Sequence, residues 1–74
     1  MAKKGDTNVY RVTEVIGTSA SSWEDAAKNA VQTASSTLRS LRIAEVTKLD
    51  MRLDDAGKVV QYRARVSLSF KYEG

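Results

Sequence analysis

The 74-residue sequence contains no cysteine, no histidine and no proline. Without cysteine it can form neither a disulfide framework nor a thiolate metal site, and without histidine it lacks the commonest general base and metal ligand. A nucleophilic serine or threonine would then need activation by a lysine, and the sequence pattern indicates no such pair. We therefore expect a protein that is not an enzyme.

The charge is also modest, because twelve basic and nine acidic residues leave a net charge of +3. A nucleic-acid-binding protein usually has a denser basic patch with aromatic residues between the charges, so we expect no nucleic-acid partner. No run approaches the roughly twenty apolar residues of a membrane span, and the basic start has no apolar segment behind it. These features favour a cytoplasmic protein without a membrane partner.

The clearest pattern in the sequence runs from Val59 to Tyr72. The even-numbered residues of this segment are apolar or aromatic, and the odd-numbered residues after Val59 are polar or charged. Because a strand points alternate side chains to opposite faces, this period of two predicts a long strand with one apolar and one polar face. Such a strand would span about 45 Å, more than so short a chain can cover, which indicates partner subunits.

A helix is predicted in the first half of the chain. Ser21 with Glu24, or Ser22 with Asp25, fits a capping box at its start. An apolar stripe with alanines at its centre then continues at helical spacing, through Trp23, Ala27, Ala30, Ala34, Leu38 and Leu41. The small alanine side chains predict a close approach of the sheet to the helix.

Two further strands complete the pattern. Residues 8–16 are rich in β-branched side chains and are followed by Gly17, which predicts the first strand. Another strand is predicted from about Ile43 to Leu53, with odd-numbered side chains on one face and even-numbered ones on the other. Its alternation is imperfect at both ends, which suggests a bulge or an inter-subunit surface. Gly57 lies in a turn that closes a hairpin onto the long strand.

These elements give the order β-α-β-β and a fold of the α+β class, in which one helix crosses a three-stranded sheet. The crossover helix makes the first two strands parallel and the hairpin makes the last two antiparallel, so the longest strand suits the centre. Residues 1–6 are expected to form a disordered tail and residues 7–74 a single domain. A chain of this size buries only about 60% of its unfolded surface, so oligomerisation is the natural source of additional stability.

From Tyr10 to Lys71 the chain resembles the dodecins, through Val-Ile-Gly-Thr-Ser at 15–19 and Ser-Phe-Lys at 69–71. The resemblance implies a hollow, spherical homododecamer with helices on the outside and sheets lining the interior. It also implies non-catalytic binding or storage of a small ligand, because most known members sequester flavins in pairs at subunit contacts.

The flavin pocket is where the sequence departs from the family's pattern. Flavin binders carry Trp-Phe-Glu-Val, whose Trp stacks on the flavin ring, and this chain has Ile-Ala-Glu-Val at 43–46. Arg63 stands where the flavin binders place a glutamine, and Asp50 with Met51 stands where they carry Arg-Gly. The candidate ligand-binding residues are Ile43, Glu45, Arg63 and Arg65.

The flavin-less calcium dodecins are similar to this chain in Ser-Trp-Glu at 22–24, Asp-Met at 50–51 and Ala-Gly-Lys at 56–58. Asp50 is the candidate metal ligand, since a carboxylate at this position could bind a hard cation such as calcium. Strict alternation would put Glu45 on the opposite face, so other ligands would come from carbonyls, water or another subunit. The resemblance implies a calcium-dodecin type of binding or storage protein. The alternatives are a dodecin that sequesters a flavin (FMN or riboflavin) and a purely structural assembly.

Several other side chains have more than one interpretation. Trp23, in the first helical turn, is either a packing anchor or a ring that stacks on a ligand. Arg63 and Arg65 either face solvent or form salt bridges between subunits, and an enclosed face would make them anion contacts. Asp54 and Asp55 fit a solvated turn better than a calcium loop.

Overall fold

The computed structural model describes residues 9–71, in which α1 packs across a three-stranded sheet. The elements are β1 (Tyr10–Ser19), α1 (Trp23–Ser35), β2 (Leu41–Leu53) and β3 (Val59–Lys71). The strand order is β1-β3-β2, and β3 is antiparallel to both neighbours. The predicted element order and the central place of the long strand are confirmed. The predicted tail at 1–6 and Tyr72 lie outside the described residues.

The core lies where the small side chains of α1 meet the centre of β3. Its buried apolar residues are Ala26, Ala30, Ala34, Ala64, Val66 and Leu68. Val66 and Leu68 are the largest side chains that are fully buried in the part of the chain that the structure describes. The predicted close contact between an alanine stripe and the sheet is confirmed. Ala26 is buried in this contact, whereas Ala27, which the predicted stripe included, is only partly buried.

The helix begins where one of the two capping patterns predicts. Ser22 is the N-cap, and its hydroxyl accepts a hydrogen bond from the backbone N–H of Asp25 at 3.0 Å. The Asp25 carboxylate does not complete the box itself but accepts a 2.7 Å hydrogen bond from the hydroxyl of the buried Ser19. Ser19 in turn accepts hydrogen bonds from the backbone N–H groups of Ser21 and Ser22. Ser19 therefore links the end of β1 to the first turn of α1.

The helix is shorter than the apolar stripe predicts. It ends at Ser35, and the hydroxyls of residues 35–37 donate hydrogen bonds to the carbonyls of residues 32–34. Such local bonding competes with continuation of a helix. Leu38 therefore reaches the core from the connection, and Leu41 from the start of β2. Among the described residues, no helix is long and apolar enough to cross a membrane.

A β-bulge at Thr47 changes which way β2 faces. Val46 pairs with Val66, but Lys48 pairs with Arg65, so Thr47 is an extra residue on β2. Its hydroxyl donates a hydrogen bond to the carbonyl of Arg65 at 3.2 Å. Because directly paired residues share a face of the sheet, the bulge shifts the alternation by one residue.

The predicted division of β2 into odd and even faces is therefore wrong. From Ile43 to Val46 the even-numbered side chains lie on the helix side, whereas from Lys48 to Arg52 the odd-numbered ones do. The irregularity expected near the ends of β2 is confirmed, since the register also shifts between Leu41 and Ile43 and between Arg52 and Leu53.

Candidate ion and ligand site on the open face of the sheet

The face of the sheet opposite α1 is called the open face below. According to the register, it carries Tyr10, Val12, Glu14, Ile16 and Thr18 of β1, Ile43, Glu45, Lys48, Asp50 and Arg52 of β2, and Arg63, Arg65, Ser67 and Ser69 of β3. It therefore mixes ionised side chains with exposed apolar ones. The five predicted site residues all lie on it, because the bulge at Thr47 turns Asp50 to the same face as Ile43 and Glu45.

Asp50 and Arg63 form a two-point ion pair on this face, between the edge strand β2 and the central strand β3. Arg63 Nε donates to Asp50 Oδ1 at 2.7 Å, and Arg63 Nη2 donates to Asp50 Oδ2 at 3.3 Å. The two residues are direct partners across β2 and β3, so the sheet register holds them opposite each other. The hydrogen bond from Arg63 lowers the pKa of the Asp50 carboxyl, and the same bond raises the pKa of Arg63.

The second arginine of β3, Arg65, forms an ion pair with the opposite edge strand, β1. Arg65 Nη1 lies 3.6 Å from Glu14 Oε1 on β1. The two arginines therefore connect the central strand to both edge strands, and each is paired within one subunit. Both pairs are exposed, with 37% of the Arg63 and 56% of the Asp50 side chain accessible. Exposed pairs of this kind contribute little to stability.

Trp23 contacts the backbone of Asp50 from the helix side of the sheet. Its indole Nε1 donates to the backbone carbonyl of Asp50 at 2.9 Å. Its ring meets Tyr62 edge to face, with centroids 5.2 Å apart. Of the two interpretations of Trp23, the packing anchor fits these contacts. Sequence reasoning missed the link to Asp50, because no local pattern indicates a contact between residues this far apart in sequence.

Ile43 and Glu45 are on the open face but not beside Asp50. Ile43 pairs with Ser69 and Glu45 pairs with Ser67, whereas Asp50 pairs with Arg63. Four residues along β3 correspond to about 13 Å, so Glu45 and Asp50 cannot bind one ion within a subunit. The prediction that they lie on opposite faces is wrong, and distance along the strand separates them instead. No group of three acidic side chains within residues 9–71 is placed to hold a metal ion.

The helix side of β2 has its own apolar surface. A trough of about 430 Å³ is lined by Trp23, Glu24, Ala27, Val46 and Leu49. Val46 and Leu49 are both about half exposed on its floor. The edge strand β2 therefore presents uncovered apolar surface beside the helix as well as on the open face.

Comparison with known proteins shows where this architecture belongs. The dodecin family model matches residues 9–73. This chain belongs to the dodecin family. Calcium dodecin from Mycobacterium tuberculosis is 47% identical over 64 residues, which cover 86% of this chain and 89% of that protein. The resemblance inferred from sequence motifs is thereby confirmed.

Solved dodecin structures superpose over most of the chain. Dodecin from Streptomyces coelicolor is 42% identical, with a TM-score of 0.83 over 90% of this chain and 94% of that one. The crystal structure of M. tuberculosis calcium dodecin, described as a calcium-chelating immunodominant antigen with a novel calcium-binding site, is 46% identical. Its TM-score is 0.77 over 88% of this chain and 91% of that one.

Proposed function

We propose that this chain is a non-catalytic binding protein of the calcium-dodecin type. It assembles into a closed homo-oligomer and holds a hard cation or small ligand against its open faces. The observation that carries the proposal is the open face itself, where Asp50 and exposed apolar side chains are left uncovered by a single chain. The 47% identity to calcium dodecin supports calcium as the cation.

Self-association follows from what one subunit leaves in solvent. Large apolar side chains at least half exposed include Val12, Ile43, Leu49 and Leu53. Complete burial of a fully exposed side chain of this kind stabilises by about 1.5–3 kcal/mol, so covering the exposed half of each of these residues with further copies is favourable. Closed point-group symmetry is the usual arrangement of such copies. By analogy with the family, we propose a hollow dodecamer with the open faces lining its interior.

Calcium would use Asp50 as one ligand of several. The ion takes six to eight oxygen ligands, and one subunit offers a single carboxylate at this position. The remaining ligands would be backbone carbonyls, water and Asp50 of neighbouring copies. Because few carboxylates would contribute, the affinity falls in the weak class, with Kd of about 10⁻⁴ to 10⁻³ M.

Flavin sequestration is the alternative, and the contacts of residues 9–71 give it no specific support. Ile43 occupies the position where flavin-binding dodecins stack a tryptophan. Trp23 packs on Tyr62 on the other side of the sheet, so it does not replace that ring within one subunit. The cytoplasmic location and the absence of a nucleic-acid partner stay predictions.

Light scattering coupled to gel filtration tests the assembly. Twelve chains of 8.1 kDa would form a closed particle of about 97 kDa. A stable monomer or dimer at micromolar concentration would contradict the proposed oligomer.

Thermal unfolding of chelator-treated protein with added calcium tests the ligand. Calcium should raise the Tm modestly, because it binds the folded state in preference to the unfolded one. Asp50→Asn should remove most of this rise, whereas the matched change Asp55→Asn in the β2–β3 turn should keep it. If Asp50→Asn leaves the response intact, the ion binds elsewhere, for example at the turn with Asp54 and Asp55.

A further inference from the structure

We propose that Arg63 is an internal counter-cation that competes with metal ions for Asp50 and so sets the affinity of the cation site. The inference rests on the proposed function, since it takes Asp50 as the metal ligand. It adds a controlling residue from β3 to a site otherwise described by its acidic ligand alone.

The geometry of the pair carries the argument. Two N–H groups of one guanidinium reach both carboxylate oxygens, at 2.7 and 3.3 Å. A planar fork of this kind matches a carboxylate and holds a fixed positive charge against it. A metal ion approaching the remaining lone pairs of Asp50 would meet that charge at short range. Binding of a metal ion to Asp50 therefore requires the guanidinium of Arg63 to move away, and this competition weakens the apparent affinity of Asp50 for the ion.

The surroundings permit such an exchange. The Arg63 side chain is partly exposed, and the direct ion pair that holds it is of the weak surface type. The backbone of Asp50 is anchored separately, because Trp23 donates to its carbonyl from the helix side. Arg63 can therefore swing toward solvent while the backbone of Asp50 keeps its position on the sheet.

The same pair also explains how the protein tolerates Asp50 without a bound ion. In a symmetric assembly, several copies of an exposed carboxylate would repel one another if symmetry brought them together. Arg63 neutralises each copy within its own subunit, so the assembly does not depend on calcium. We infer that the protein exchanges one cation for another at Asp50 and has no metal-dependent fold.

Isothermal titration calorimetry of the chelator-treated oligomer with calcium chloride tests the exchange. Arg63→Gln removes the charge and should tighten calcium binding by about 1.5-fold to fivefold, the range expected when a surface ion pair no longer competes. Arg65→Gln is the matched control, because it removes the same charge from the same face and strand but from the Glu14 pair. It should tighten binding by a smaller factor.

Trp23 gives a second readout, since it is the one tryptophan of the sequence and bonds to the Asp50 carbonyl. Its emission should change with calcium at the same midpoint as the calorimetric titration, in the wild type and in Arg63→Gln. Arg63→Lys keeps the charge but loses the fork, and should bind calcium more tightly than the wild type but less tightly than Arg63→Gln. This variant decides the question if Arg63→Gln does not assemble.

The outcomes separate the two proposals. In one outcome, Asp50→Asn abolishes calcium binding, and Arg63→Gln and Arg63→Lys bind calcium no more tightly than the wild type. That result would overturn the role of Arg63 and leave the calcium function standing. Binding by the Arg63 variants but not by the wild type would support competition and overturn calcium binding by the natural chain. An absence of binding in all of these proteins would overturn both.

Discussion

Gly17 and Ala30 pack against each other with no room for another carbon atom between β1 and α1. A Cβ built on Gly17 would lie 2.8 Å from the Cβ of Ala30, and closer still to the carbonyl oxygen of Ala26. Backbone atoms of the helix, which cannot rotate away, form part of this contact. The distance between helix and sheet is therefore set by the absence of a side chain on β1.

Gly17→Ala should consequently destabilise the fold by at least the 1–3 kcal/mol typical of overpacking. Gly57→Ala is the matched control: Gly57 has a φ of +82° but no atom within 4 Å of an added Cβ. Its cost is limited to the left-handed conformation, about 1–2 kcal/mol. Thermal unfolding of both variants should show the larger fall in Tm for Gly17→Ala. A reversed order would mean that the helix is free to move away from β1.

Ser22→Ala should cost about 1 kcal/mol, because it removes the side-chain acceptor at the start of α1. Ser21→Ala makes the same chemical change one residue earlier and should be close to neutral, since the Ser21 bond to Ser19 uses its backbone N–H. Tm values of the two variants provide the comparison. Equal losses would argue against Ser22 as the cap.

Acidification should expose the contribution of the Asp50–Arg63 pair. Because Arg63 lowers the pKa of Asp50 in the folded chain, the pair stabilises the fold above about pH 3.9, the unfolded carboxyl value. That contribution is lost as the pH falls through the lowered, folded-state pKa. The Tm difference between wild type and Asp50→Asn in calcium-free buffer should therefore shrink below about pH 4. A constant Tm difference for Asp50→Asn across this pH range would contradict this assignment.

Flavin binding should be weak or absent in the wild type, because Ile43 cannot stack on an aromatic ring as tryptophan does. Stacking on an aromatic is worth about 1–3 kcal/mol per base-sized ring. Riboflavin and FMN fluorescence should therefore stay unquenched at nanomolar concentration. Ile43→Trp should restore part of the quenching, whereas Ile16→Trp, on β1 of the same open face, should not. Tight quenching by the wild type would show that another aromatic residue serves as the stacking ring.

The sequence predicted the fold wherever one pattern extended over a whole element. The period of two along β3 predicted its central, half-buried place, and the alanine stripe predicted a close approach of the sheet, which the structure shows at Gly17. The end of α1 was placed too late, because Leu38 and Leu41 continue the helical spacing although serine and threonine hydroxyls bond to the last turn. Both leucines are near the core, but they reach it from other backbone conformations.

The site was only partly predictable, for a different reason. Asp50 and Arg63 were selected one by one, through resemblance to a family, and their pairing depends on a register that the residues do not reveal locally. The shift of apolar residues from Ala44 and Val46 to Leu49 and Met51 does mark the bulge in the sequence. Strict alternation across that shift assigned Asp50 and Glu45 to opposite faces.

The bulge at Thr47 gives β2 one position that can be lost without changing its two faces. With Thr47 deleted, Val46 and Lys48 would be direct neighbours that point to opposite faces, as a regular ladder requires, so Asp50 would stay on the open face and Val46 on the helix side. A slip of one residue in a regular strand turns its side chains to the other face, whereas this deletion would leave both halves of β2 as they are. Natural variants that lack the residue between Val46 and Lys48 should therefore carry the charge on the same side of the sheet.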